Sequence, residues 1–116
     1  MKTIIAGSRD ITDYSLLLVA IQESKFDITE VISGTANGVD KLGERFAKEN
    51  DIKLTTFPAN WAFHGKRAGM VRNKDMAEYA DAAIILYDGK SSGARNMIKL
   101  SKDYNLELFL KIYTFI

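Results

Sequence analysis

The sequence predicts an α/β protein, a three-layer sandwich around a five-stranded, mainly parallel sheet in the order 3-2-1-4-5. Three observations lead there. Strand-like and helix-like runs alternate from end to end of the 116 residues, and alternation of this kind means parallel strands joined by right-handed crossovers. Residues 2–6 alternate too little for a half-exposed strand and fit one buried on both faces. Three strand-like runs end in small, polar, glycine-bearing turns: Gly7-Ser8-Arg9, Ser33–Gly38 and Asp88–Gly93. Open parallel sheets bind ligands at such strand ends, where the strand order reverses. Five strands are too few for a closed eight-stranded barrel.

The elements follow in order. After the first turn, Thr12 or Asp13 can cap a helix running to about Ser24. Its run Leu16-Leu17-Leu18-Val19 with Ile21 is more apolar than packing on one sheet face requires. Residues 29–33 form a second strand. A helix from about Val39 to Asn50 follows, with Val39, Leu42, Phe46 and Ala47 on one face. Lys53–Phe57 is a third strand, closed by Pro58, the only proline. The irregular stretch Ala59–Lys66 leads into a helix from about Arg67 to Tyr79, with Val71 and Ala77 as core contacts. Ala82–Tyr87 is the clearest strand. A helix from Ala94 to about Tyr104 and a strand near Leu106–Ile112 complete a single domain over residues 1–116.

Composition narrows the function. A formal net charge of +1 argues against strong, non-specific nucleic-acid binding. With no cysteine and one histidine, His64, a zinc site would need carboxylates for its other protein ligands, so no metal is expected. No apolar run approaches the roughly 18 residues of a membrane span, and the N-terminus is not a signal peptide. The expectation is a cytoplasmic protein without membrane association.

The turns carry the chemistry. In Ser33-Gly34-Thr35-Ala36-Asn37-Gly38 the glycines allow positive φ, and the following helix offers free N–H groups and a positive dipole end to a phosphate. Neither GxxxxGK[ST] nor GxGxxG is present, so the turn also reads as an ordinary strand-to-helix connection. Ser91-Ser92-Gly93 repeats the device, and equally reads as a helix cap. Asp88 suits a ribose hydroxyl or a turn. Lys66, Arg67 and Arg72 gather three cations near a helix start, and Gly65, Gly69, Arg72 and Asn73 share a face if that helix begins early. Arg72 can take a phosphate bidentately and Asn73 can read a base or ribose edge. Trp61 reads as a core plug ahead of a stacking surface, and His64 as a turn residue.

Five stretches in order, GSR, SGTANGVD, FPANW, HGKRAGMVRN and YADAAIILYDGKSSGARNMI, resemble the YspA-like branch of the SLOG superfamily. These are Rossmann-like domains related to the Smf/DprA and Lonely-guy (LOG) proteins. The resemblance runs from residue 4 to about residue 100. It implies a binder or processor of nucleotides and nucleotide-derived ligands, with Gly7, Ser8, Arg9, Ser33, Gly34, Ala36, Gly38, Asp40, Trp61, His64, Gly65, Arg72, Asn73, Asp88, Gly89, Ser91 and Gly93 at matching positions; Thr35 and Ser92 join the candidate ligand-binding set. Related families favour Thr after that last glycine, where this chain has Ala94. LOG phosphoribohydrolases carry PGGxGTxxE, and aligning Gly93-Ala94 with its Gly-Thr puts Met97 at the catalytic Glu. A thioether cannot act as a base.

The leading expectation is therefore a sensor or sequestering protein for a phosphorylated nucleotide or nucleotide-derived signal ligand, with no cofactor identified besides that ligand. An N-glycosidic hydrolase using Asp40 or Asp88 is the alternative, and single-stranded DNA binding the third. The extra apolar face of the first helix and the apolar tail Ile112–Ile116 point to a homo-oligomer.

Overall fold

The computed structural model describes residues 1–114. It contains one five-stranded sheet, all parallel, in the order β3-β2-β1-β4-β5. The strands are β1 (Lys2–Gly7), β2 (Glu30–Ser33), β3 (Lys53–Thr56), β4 (Ala82–Tyr87) and β5 (Glu107–Ile112). The helices are α1 (Tyr14–Ser24), α2 (Val39–Glu49), the single turn α3 (Trp61–His64), α4 (Ala68–Tyr79) and α5 (Ser92–Asp103). This is the expected Rossmann-like arrangement. Phe115 and Ile116, the end of the apolar tail, lie outside the described residues.

The two-residue period of the strands divides the core. On one face Ile4, Ile32, Ala83 and Ile85 meet Met76 and Ala77 of α4 and Met97 and Ile98 of α5. On the other, Ile5, Val31, Ile84 and Leu86 meet Leu17 and Ala20 of α1 and Val39 and Ala47 of α2. β1 and β4, central in the sheet, are apolar along nearly their whole length because both faces are covered. Edge strands β3 and β5 carry Lys53 and Lys111, charges that discourage pairing with another sheet edge.

Helix boundaries follow local chemistry. Asp13 caps α1, its carboxylate accepting from the Ser15 N–H at 3.0 Å. Ser91 caps α5, its hydroxyl accepting from Ala94 N–H at 3.4 Å, so this helix starts at Ser92, two residues ahead of the position the sequence suggests. The stretch Ala59–Lys66 is more ordered than expected. Asn60 accepts from Phe63 N–H at 3.1 Å and starts α3, which runs into a 3-10 turn, Gly65–Arg67. Gly65 therefore lies outside α4, at φ 58°, and does not share the α4 face with Gly69, Arg72 and Asn73. Of the two core contacts expected on α4, Ala77 is buried and Val71 is half-buried.

Candidate functional site

At the carboxyl ends of the strands the β1 turn is fixed by one residue. Ser8 is fully buried. Its N–H donates to Leu86 O at 3.0 Å, its carbonyl accepts from Val39 N–H at 3.4 Å, and its hydroxyl accepts from Asp88 N–H at 2.9 Å. One serine thus ties the β1 turn to the β4 turn and to the start of α2. The two glycines beside it permit that closeness. A Cβ on Gly7 would stand 2.1 Å from Leu86 O, and one on Gly38 would stand 2.4 Å from Ser8 O. Gly38 also holds φ at 78° at the head of α2, which an L-side chain resists.

A cleft of about 820 Å³ opens between these turns and α3, α4 and α5, within the range of small-molecule sites. Of the candidate ligand-binding residues, it is lined by Gly7, Arg9, Ala36, Asp40, Trp61, Arg72, Asn73, Ser91, Ser92 and Gly93. Others support its walls from behind. Ser33 donates to the Glu44 carboxylate at 2.7 Å and accepts from Thr35 N–H at 3.0 Å. Thr35 takes a left-handed φ of 67°. The Asp88 carboxylate accepts from the Lys90 and Ser91 N–H groups, both at 2.8 Å. Those bonds hold its pKa below the ordinary value and are the contacts of a turn former. His64 packs edge-on against Phe63, 4.7 Å between ring centres, and is not among the lining residues.

Arg72 and Asp40 dominate the cleft's electrostatics. Arg72, half-buried, donates to Gly34 O and through Nε to Asn73 Oδ1 at 2.9 Å. Asn73 donates onward to Asn96 Oδ1 at 2.9 Å and to Gly93 O at 3.4 Å, so one polar chain joins the β2 turn, α4 and α5. A Cβ on Gly34 would lie 2.7 Å from the Arg72 guanidinium. Burial lowers the Arg72 pKa, and the Asp40 charge opposes that. Asp40, in the first turn of α2, is buried and accepts from Ala36 N–H at 3.2 Å. Burial pushes its carboxyl up to about 6, against the Ala36 hydrogen bond and the Arg72 charge.

Lys66, Gly69, Met70, Met76, Arg95, Asn96, Met97 and Lys99 also line the cleft; the candidate set contains none of them. On α5 the clue is spacing, since Lys99 stands three residues after Asn96 and four after Arg95, within reach of both along the helix surface. Among the described lining residues five are cationic (Arg9, Lys66, Arg72, Arg95 and Lys99) and Asp40 alone is acidic. Met97, aligned with the LOG glutamate, is a buried part of the wall. Trp61 departs most from expectation. It is 57% exposed on the cleft wall rather than plugged into the core, because α3 sits beyond the end of the sheet.

Residues 1–64 match the model of the YspA, cpYpsA-related SLOG family. The chain belongs to that family. The match covers β1 to α3, and so the β1 and β2 turns, Asp40 and Trp61; the α4 and α5 walls lie beyond it. The chain is also similar to the Gene 61 protein of Mycobacterium phage D29, 29% identical over 108 residues that cover 84% of this chain and 86% of the phage protein. No solved structure matches the chain. SLOG membership suggests nucleotide-related binding or glycosidase-like chemistry. No helix among the described residues is long and apolar enough to cross a membrane.

Proposed function

We propose that this SLOG protein binds a phosphorylated nucleotide or nucleotide-derived ligand in the cleft, as a sensor or a sequestering protein. The observation that carries the reading is the concentration of five cations against one carboxylate in that cleft, in a chain whose net charge is only +1. The same cleft is lined by Ser91, Ser92 and Gly93 at the start of α5, where N-terminal N–H groups suit a phosphate. The even balance elsewhere disfavours single-stranded DNA. Calorimetric titration with AMP, GMP, UMP and NAD⁺ tests the reading. Arg9→Ala and Arg72→Ala are each expected to weaken binding by about 1.5–3 kcal/mol, the scale of a charge-assisted hydrogen bond. Unchanged affinity in both variants, with circular dichroism intact, would sink the shared-cleft model.

Asp40 favours a second reading, hydrolysis of an N-glycosidic bond. A carboxyl with a pKa raised to about 6 by burial, on the wall of a cleft, is suited to general acid–base work near neutral pH. Asp40 would protonate the departing base as the carbon–nitrogen bond breaks, water would add to the sugar carbon, and the proton that the water gives up would return to the Asp40 carboxylate. Chromatography of the same nucleotides after incubation separates the readings: free base or nicotinamide released by the native protein and not by Asp40→Asn marks an enzyme.

A further inference from the structure

The geometry points to Trp61 as a stacking platform for the ligand's aromatic base, so that the cleft selects nucleotides over sugar phosphates and inorganic polyphosphates. This rests on the nucleotide reading above and adds to it the part of the ligand that the cations cannot recognise.

An indole more than half exposed does little for the core, yet Trp61 is held in a defined place. Asn60 caps the turn that carries it, and its side chain reaches over α4. Trp61 Cη2 and Arg72 Nη2 each come within 3.8 Å of the Cβ position that Gly69 lacks. The edge of the indole and the half-buried guanidinium therefore both border the space left by the missing side chain. Lys66 and the exposed Met70 line the same cleft. Phe63, two residues on and 78% exposed, packs with His64 and is not a lining residue, so the aromatic surface offered to the cleft is that of Trp61. A group with an anion close to a planar ring satisfies both sides of the gap at once. Base–aromatic stacking is tolerant of base identity, because every base has a π-face.

Trp61 is the chain's single tryptophan, so its emission reports the platform directly. Fluorescence titration with AMP, GMP, UMP and NAD⁺ is compared with ribose 5-phosphate and inorganic pyrophosphate, and calorimetry gives affinities for the native protein, Trp61→Ala and Trp61→Phe. The nucleotides are expected to shift or quench the emission and the two base-free anions to leave it unchanged. Trp61→Ala should weaken AMP binding by about tenfold to a hundredfold, leave ribose 5-phosphate within twofold, and be rescued by Trp61→Phe. Calorimetric AMP binding with silent emission and equal affinity in Trp61→Ala would overturn the platform and leave the nucleotide cleft standing. Failure of every nucleotide to bind would remove both.

Discussion

Asp40 is the residue whose protonation couples the cleft to the fold. Its pKa rises from 3.8 in the unfolded chain to about 6 in the folded one, so between those values the folded state holds the extra proton. Stability then falls as pH rises through this window and the cost is complete above it; below about pH 4 both states are protonated and there is no cost. Two pH units correspond to about 3 kcal/mol at most. Asp40→Asn keeps an oxygen for the Ala36 N–H and removes the charge. It is expected to be about 1–3 kcal/mol more stable than the native protein at pH 8 and indistinguishable from it near pH 4, as read by urea melts. An anion arriving beside Asp40 raises its pKa further, so nucleotide binding should take up protons and be tighter at pH 6 than at pH 8. Little of this is legible in the sequence. The candidate Asp40 follows from the Ser33–Asp40 stretch, but its burial depends on how closely α2 approaches β1. Trp61 misleads for the opposite reason: a large aromatic is usually buried, and only placement of α3 past the sheet end exposes it.

At the scale of elements, the α2–β1 contact shows how a helix is brought against the sheet. Gly43 sits on the buried face of α2, where a Cβ would stand 2.8 Å from both Cβ and Cγ2 of Ile5. Ile5 is a fully buried residue of a central strand and its Cβ cannot swing aside. Alanine in a helix interior gains about 1 kcal/mol over glycine, whereas overpacking a close-packed core costs about 1–3 kcal/mol. Gly43→Ala is therefore expected to be destabilising overall. Gly93, second in α5, has open space at its Cβ position, so Gly93→Ala should be neutral or stabilising by up to about 1 kcal/mol. Thermal melts should fall for Gly43→Ala and stay level or rise for Gly93→Ala. The long elements are legible in the sequence to within one or two residues because periodicity and caps agree. α3 is not, since a four-residue turn is too short for any period and only Asn60 announces it.

At the scale of the molecule, alternation with right-handed crossovers dictates parallel strands, and the order 3-2-1-4-5, expected as the usual doubly wound one, is the order observed. The same order separates the two helix layers. α4 and α5 carry the cleft wall, while α1 packs on the opposite sheet face and meets β5, where Lys111 Nζ donates to the Glu23 carboxylate at 3.2 Å. On α1 the buried residues are Leu17 and Ala20, and Leu18 and Val19 remain 42% and 50% exposed. Ile112, at the end of β5, is 58% exposed. Ile112 follows Leu108 and Leu110 at the two-residue period and so belongs to the α4–α5 face, whereas Leu18 and Val19 give α1 an adjacent pair of exposed apolar side chains suited to a second copy of the chain. We expect self-association through α1. Leu18 and Val19 bear little of the core, so Leu18→Glu with Val19→Glu should fold normally. Sedimentation velocity should then show a native dimer or larger species and a monomeric double variant, with nucleotide affinity preserved because neither Leu18 nor Val19 lines the cleft. A native protein that sediments as a monomer at 100 μM would rule this interface out.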